Sequence, residues 1–435
     1  MRLSRYLKTY PFEEMPGSLV VYSTKKTSVT LLNNDFFRSI TNSSLSPEDE
    51  SALSKLGITV TDAEEERQSM LEYVDVLNAK NKNLNLSVII NLDCNFSCIY
   101  CYEEGLKGKL YMSDETVRHL IEFIKAKFTG DKKTLNIDFY GGEPLLSTGI
   151  IKDISEALKS FTEERGAEYT FTLVTNGSLF TKKVAEALTH IGLRAIKVTL
   201  DGPAEIHNKY RPFRTGSGSF ETIMRNLKET CDLVKIGIGG NFDTESYEKF
   251  IPLLDQLEKA GLTPDRIWEV KFGPVMKRPA GDTSPTDYHD GCMSINEPWL
   301  LKAEALLRED ILRRGYATSK LMPMPCQVEI TDNYVVNFDG VIYKCPTFIG
   351  RKGFAIGDVR HGTTDCADSY RLNNWKNDTC LDCEYLPLCF GGCRYMSYMR
   401  DGNIDTIDCK KPYLNAALET LIKQDIKYRK PPKTK

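Results

Sequence analysis

From Leu84 onward the chain alternates short apolar runs with longer stretches in which apolar residues recur every three or four positions. The runs predict strands at Leu84–Asp93, Thr134–Tyr140, Tyr169–Thr175, Ala195–Leu200, Val234–Asn241 and Ile267–Phe272. The periodic stretches predict helices over Ser113–Phe128, Gly149–Glu164, Thr181–Ile191, Ser219–Asp232 and Thr244–Ala260. Ser113-Asp-Glu and Asp243-Thr-Glu-Ser supply helix-start chemistry. Six strand–helix units imply an α/β fold with a parallel sheet and right-handed crossovers, short of the eight units of a closed barrel.

The first 80 residues read as a separate module. Ser18–Ser23 and Ser28–Leu32 alternate as two strands joined by the polar turn Thr24–Thr27. Asn34-Asp35 can cap a short helix through Ile40. Ser46-Pro-Glu-Asp-Glu starts a second, with serine at the cap and proline at the first position. That helix ends near Gly57, before Ile58-Thr-Val60, and a charged helix follows over roughly Asp62–Asn78. The pattern suggests a winged-helix-like module. Residues 81–275 carry the strand–helix units, and 276–325 form a bridge with a helix from Glu297 to Arg314. A cysteine-rich segment follows over 326–412, and 413–435 read as a C-terminal helix with a basic tail, Asp425–Lys435, expected to be solvated and disordered.

Composition removes several classes of function. Hydrophobic content of 41% and charged content of 27% are ordinary for a soluble globular chain. A formal net charge of −3 gives no global field toward nucleic acid or anionic lipid. Met1-Arg-Leu-Ser-Arg-Tyr-Leu lacks the apolar core of a signal peptide, and no apolar run approaches the roughly 20 residues that span a bilayer. A cytoplasmic protein is expected, with no nucleic-acid or membrane partner. Thirteen cysteines are an odd number, and a reducing compartment disfavours structural disulfides. Ten fall into two groups with ligand-like spacing, whereas Cys231, Cys292 and Cys366 stand apart. Cys231, inside a predicted helix, reads as a small buried hydrophobe.

The first group, Cys94-Asn-Phe-Ser-Cys98-Ile-Tyr-Cys101, lies at the C-terminal end of the first predicted strand, where parallel α/β sheets place their chemistry. Three thiols cannot all pair, and zinc would need a fourth ligand nearby. On three corners of a [4Fe–4S] cube they leave one iron open to the amine and carboxylate of a methionine derivative. Buried thiols or a partial zinc knuckle are the plainer alternatives. Further polar motifs close the next strands: Tyr140-Gly141-Gly142-Glu143-Pro144, Thr175-Asn176-Gly177 and Thr199-Leu200-Asp201-Gly202-Pro203. The glycines permit close backbone approach, and a carboxylate can accept from an ammonium group.

The cysteine spacing C-x3-C-x2-C with these motifs in order resembles the radical S-adenosylmethionine (SAM) superfamily, over about residues 84–275. The resemblance implies a partial (β/α)6 barrel, with Cys94, Cys98 and Cys101 holding a SAM-binding [4Fe–4S] cluster. It places Gly141, Gly142 and Glu143 at the SAM amino group and Tyr100 near the adenine. Thr175 and Asn176 match later SAM contacts, and Thr199 and Arg211 match positions contacting the ribose or carboxylate.

The second group runs Cys326, Cys345, Cys380-x2-Cys383-x5-Cys389-x3-Cys393 and Cys409. Taken alone, its pairs could be a zinc ribbon. The full spacing resembles the SPASM extension of radical SAM enzymes, which implies two auxiliary [4Fe–4S] clusters and three in all. Cys380, Cys383, Cys389 and Cys409 would hold one, and Cys326, Cys345 and Cys393 the other. Anaerobic sulfatase-maturing relatives carry an eighth cysteine just before the position of Cys326, where this chain reads Lys320-Leu-Met-Pro-Met-Pro325. Unless Cys292 or Cys366 folds in, one iron stays open, where a substrate cysteine could ligate. The same relatives place an aspartate, a proposed base, where this chain has Pro346.

The resemblance extends to peptide maturases of the thioether-forming, geopeptide-type group. It implies anaerobic SAM cleavage to a 5′-deoxyadenosyl radical and oxidation of a cysteine-containing precursor peptide. The N-terminal module would bind the leader by strand addition, and a flavodoxin- or ferredoxin-type protein would donate electrons. Formylglycine formation in a sulfatase and a non-catalytic iron–sulfur electron carrier are the alternatives. Tyr102, Glu104, Asp243 and Glu269 sit at or near strand ends and are expected to be structural, so no catalytic base is assigned.

Overall fold

The structure, a computed structural model, describes residues 2–41, 45–101, 108–275 and 295–428. The chain divides into two compact units that do not follow chain order. One gathers residues 1–80, 320–331 and 371–427; the other gathers 81–319, 332–370 and 428–435. Cys292, Tyr102, Glu104 and the 279–285 loop lie outside the described residues; the tail expected from Asp425 is instead helical as far as Tyr428, the end of helix Lys411–Tyr428, and lies outside the described residues beyond it.

The larger unit is built on the six expected strands, Asn83–Asn91, Thr134–Gly141, Glu168–Thr175, Leu193–Thr199, Lys235–Phe242 and Glu269–Pro274. They lie side by side in chain order, all parallel, as the partial (β/α)6 barrel requires. The helices between them pack their apolar stripes on one face of the sheet. Asp114–Lys127 buries Val117, Leu120, Phe123 and Ile124, with Ser113 capping Thr116 through its hydroxyl. The strands answer with Leu84, Leu86 and Val88, Leu135, Ile137 and Phe139, and Tyr169, Phe171 and Leu173, all buried. A two-residue period puts Asn85, Asn136, Asp138, Thr170, Thr172 and Lys197 on the opposite, inner face.

A further parallel strand, Asn333–Val336, extends the sheet beside Asn83–Asn91 and was not predicted. Its side-chain ladder explains the register. Asn333, Asn85, Asn136 and Thr170 occupy one row, joined by hydrogen bonds of 2.9, 2.9 and 2.8 Å across four strands. The short antiparallel strands Val341–Tyr343, Gly357–Asp358 and Gly362–Thr363 complete a sheet of ten strands. The helix expected from Glu297 covers Pro298–Arg313.

In the smaller unit a three-stranded antiparallel sheet, Leu7–Pro11, Ser18–Ser23 and Val29–Asn33, precedes helices Asn34–Ser39 and Pro47–Lys55. The strand at Leu7–Pro11 was not predicted. The long charged helix is instead two, Ala63–Leu71 and Tyr73–Lys80, parted at Glu72. Residues 1–80 bury one small core of their own and share two others with the C-terminal segment. Val21 packs with Ile40, Leu53 and Ile58 on one side of the central strand. Val20 and Tyr22, on its other face, join Tyr385, Leu414, Leu418 and Ile422 from the C-terminal segment. Tyr6, Met70 and Val74 likewise surround Trp375, Leu381 and Phe390. A buried ion pair joins Arg394 to Glu329, whose carboxylate also accepts from the Asn373 backbone N–H at 3.1 Å.

Candidate functional site

The cysteine loop leaves the first strand at Leu92 and is strapped down by backbone hydrogen bonds. Ser97 N–H donates to the Pro212 carbonyl at 3.0 Å, Ile99 N–H to Tyr210 at 3.1 Å, and Arg214 N–H to Asn95 at 2.9 Å. Phe96, fully buried, stacks edge-on against Phe213 at 4.9 Å. Cys94 and Cys98 are buried and Cys101 half-buried. The Phe96 N–H points at Cys94 Sγ (3.4 Å), and Asn176 Nδ2 lies 3.9 Å from the same sulfur.

Glu143 ties the strand ends together. Its backbone N–H donates to the Asp93 carbonyl at 2.7 Å. Its carboxylate, with no exposed surface, accepts from Thr175 Oγ1 (2.7 Å), Leu145 N–H (3.0 Å) and Asn176 N–H (2.8 Å). Burial raises the Glu143 pKa, and these donors with Arg211 counter part of the rise. Gly141 and Gly142 let the two strand ends meet, because a Cβ on either would stand 2.2 Å from a carbonyl oxygen, that of Asn91 or of Asp93. Asn176, also buried, donates to Asn95 Oδ1 at 2.7 Å and so links the third strand to the cysteine loop.

Tyr100 is the hub on the far side. Its hydroxyl donates to Asp201 Oδ2 and accepts from Arg211 Nη1 (2.9 Å) and Asn241 Nδ2 (3.1 Å). Asp201 also accepts from the Asn241 N–H at 2.8 Å, and Arg211 Nη1 lies 3.9 Å from its carboxylate. Burial opposes charge on Arg211, but Cys98, Tyr100 and Asp201 outweigh it and hold the pKa well above the ordinary value. Burial, then the Asp201 charge, pushes the Tyr100 phenol up against Arg211. His207 lies beneath. Its Nδ1 accepts from the Asp201 N–H (3.2 Å), so the proton sits on Nε2, which faces Ser219 Oγ at 3.0 Å. Burial and Arg211 depress the His207 pKa well below its usual value, keeping the ring neutral.

Thr199 ends the fourth strand half-buried, one row from Asn241. Tyr100, Gly141, Gly142, Glu143, Thr175, Asn176, Thr199 and Arg211 therefore all lie at the C-terminal ends of the first to fourth strands or in the loops that follow. Sequence reading missed Asp93, Asn241 and His207. Asp93 accepts from Tyr111 (2.5 Å), Arg214 (2.9 Å) and the Cys94 N–H (2.9 Å). Burial works against its ionisation, but these three donors more than offset that and hold the carboxyl below its ordinary value. Asp243 is a buried turn carboxylate, accepting from the N–H groups of Glu245 (3.0 Å) and Ser246 (2.8 Å) and from Tyr210. Glu269 accepts from Ser319 at 3.0 Å.

The smaller unit holds Cys326, Cys380, Cys383, Cys389, Cys393 and Cys409; the larger holds Cys345 and Cys366. Cys380, Cys383, Cys389 and Cys409 share one neighbourhood. Burial raises the Cys380 thiol, and the other three sulfurs raise it further. Burial also raises Cys393, and among its neighbours is Cys326. Cys231 is buried at the end of helix Phe220–Thr230.

The residues present fit a [4Fe–4S] cluster with SAM. The loop offers soft sulfur donors, which suit iron–sulfur centres. Arg211 brings a buried cation against Cys98. Its Nε is buried without a hydrogen-bond acceptor among the described residues, so an anionic group beside the loop would satisfy it. Among the described residues no three His, Cys, Asp or Glu side chains converge on a single ion, a convergence that a four-iron cube does not need. No helix among the described residues is long and apolar enough to cross a membrane.

A profile of the radical SAM superfamily matches residues 88–257. Among curated proteins, the chain is 21% identical over 350 residues to the radical SAM cyclopropyl synthase TigE of Paramaledivibacter caminithermalis, covering 74% of this chain and 70% of that protein. It is 23% identical over 339 residues to a cysteine-type anaerobic sulfatase-maturating enzyme of Clostridium novyi, covering 71% and 88%. Among solved structures, Streptococcus suis SuiB bound to precursor peptide SuiA superposes with a TM-score of 0.53 at 15% identity, over 94% of this chain and 98% of that one. Residues 88–257 of this chain are a radical SAM domain.

Proposed function

We propose that the chain is a radical SAM enzyme that modifies a ribosomally made precursor peptide, forming thioether crosslinks from its cysteines. The observation that carries the reading is the convergence on one place of the cysteine loop and five strand ends, knit by Glu143, Asn176 and Tyr100. Bound there, a reduced cluster with SAM supplies a 5′-deoxyadenosyl radical. Cys94, Cys98 and Cys101 would hold that cluster. Arg211, through its unpaired Nε, would take an anionic group of SAM, and Tyr100 would fix the guanidinium in place. The Glu143 carboxylate is already committed to three donors, so its part is to hold the strand ends while Gly141 and Gly142 keep the backbone within reach. Exclusion of water falls to the buried Phe96–Phe213 pair beneath the loop.

Cys380, Cys383, Cys389 and Cys409 would hold a second cluster; the sequence pattern alone assigns Cys326, Cys345 and Cys393 to a third. A flavodoxin- or ferredoxin-type protein would donate electrons. In the N-terminal module, strand Val29–Asn33 lies at the sheet edge with Val29 and Leu31 exposed, the arrangement that strand addition of a leader requires.

A second reading, formylglycine formation in a sulfatase, is favoured by the likeness to the Clostridium novyi enzyme. Pro346, which follows Cys345 and cannot accept a proton, opposes it. Each thioether removes one C–H and one S–H hydrogen from the peptide. The test is anaerobic co-expression with a small cysteine-containing peptide encoded beside the gene, followed by mass spectrometry. Loss of two hydrogens per bond with matching loss of alkylatable thiols is expected. An unmodified peptide alongside conversion of a sulfatase-derived peptide would replace the first reading by the second.

A further inference from the structure

The inner face of the parallel sheet carries charge. Register places Lys197, Gly237 and Glu269 in one row, and Thr199, Gly239 and Lys271 in the next row toward the site. The fifth strand contributes only glycine to both rows, so the lysines flank a bare strip of backbone. Lys197 leans along that strip. A Cβ built on Gly239 would lie 2.9 Å from Lys197 Cε, so the stem crosses from its own row into the row of Lys271 and Thr199. Both lysines are exposed on that face.

Four charged groups meet there, Lys197, Lys271, Asp138 and Glu269. The acids have donors, Thr172 Oγ1 to Asp138 at 2.7 Å and Ser319 to Glu269 at 3.0 Å. Neither ammonium group hydrogen-bonds or ion-pairs with a described residue. Desolvation by the surrounding sheet, then the like charge of Lys271, lowers the Lys197 pKa against the pull of Asp138 and Glu269.

We propose that Lys197 and Lys271 form a carboxylate-binding site on the inner face of the barrel that receives an acidic group of the peptide segment entering it. The inference rests on the peptide-modifying reading above. It makes the two lysines residues that read substrate, one and two rows below Asn241 and the Tyr100 hub. An aspartate or glutamate side chain and a free C-terminus offer the same chemistry.

The test is competitive acetylation of the reconstituted holoenzyme, read lysine by lysine by mass spectrometry, with three probes: Ac-Gly-Glu-Gly-NH2, its glutamine counterpart, and Ac-Gly-Gly-Gly with a free carboxyl. A bound carboxylate keeps the amines protonated and slows acylation. The expected result is protection of Lys197 and Lys271 at concentrations at least about tenfold lower for an acidic probe than for the glutamine one. Which acidic probe protects identifies the source. Lys197→Met should weaken protection at Lys271 without lowering the melting temperature, since it removes a cation that the fold disfavours. Equal protection by acidic and amide probes overturns the inference and leaves the peptide reading standing. Absence of protection by all three also overturns the inference, while the peptide reading stands or falls on the co-expression test.

Discussion

Replacing Tyr100 by Phe removes one oxygen and strands three partners. Asp201 Oδ2 loses its hydroxyl donor, and Arg211 Nη1 and Asn241 Nδ2 lose an acceptor. Each buried group left unsatisfied costs about 1–3 kcal/mol. A single water in the vacated space could serve two of them, so the three do not add. The expected loss is roughly 2–4 kcal/mol from the larger unit. The stem of the ring keeps its packing, so this cost is polar in origin. Urea denaturation followed by tryptophan fluorescence measures it, since Trp268 and Trp299 both belong to this unit. SAM affinity should fall in the same variant, because Arg211 loses the contact that aims it. A shift worth less than about 0.5 kcal/mol, with unchanged SAM affinity, would refute the hub.

Three other outcomes follow from the geometry. His207 has a folded pKa below its usual 6.5, so the unfolded chain takes the proton first and stability is lost as pH falls from about 6.5 toward the folded value. His207→Gln should flatten that acid limb in urea midpoints compared at pH 7.5 and about 5.5. Glu329→Gln leaves the Arg394 charge buried and should cost the smaller unit about 3–5 kcal/mol in chemical denaturation, with part recovered on adding Arg394→Met. Gly142→Ala drives a methyl into the Asp93 carbonyl, which is backbone and cannot swing aside; a loss of SAM binding and about 1–3 kcal/mol of stability is expected by titration and melting.

Most of the larger unit was legible because its signals are local. A buried parallel strand is an apolar run, and each of the six lies within a few residues of its expected place. The cysteine loop and the glycine-bearing strand ends are likewise contiguous. Asn333–Val336 was missed because its partner strand lies some 250 residues earlier and four residues give little periodicity. Leu7–Pro11 alternates weakly, with a proline and a lysine among five residues. The hub was missed for a similar reason. Asn241 and His207 are ordinary polar residues until folding brings them to Tyr100 and Asp201. Lys197 and Lys271 look like solvated charges on apolar strands, and only register shows that they share a face.

The measurement closest to the central claim is 5′-deoxyadenosine formation by the anaerobically reconstituted protein, reduced and supplied with SAM. The account predicts that nucleoside from the native chain and its loss in Cys94→Ala, Cys98→Ala and Cys101→Ala. It predicts retention when Cys231, the buried cysteine at the end of Phe220–Thr230, is changed to Ala. A native protein that binds iron and sulfide yet never yields 5′-deoxyadenosine would contradict the account and leave an iron–sulfur electron carrier in its place.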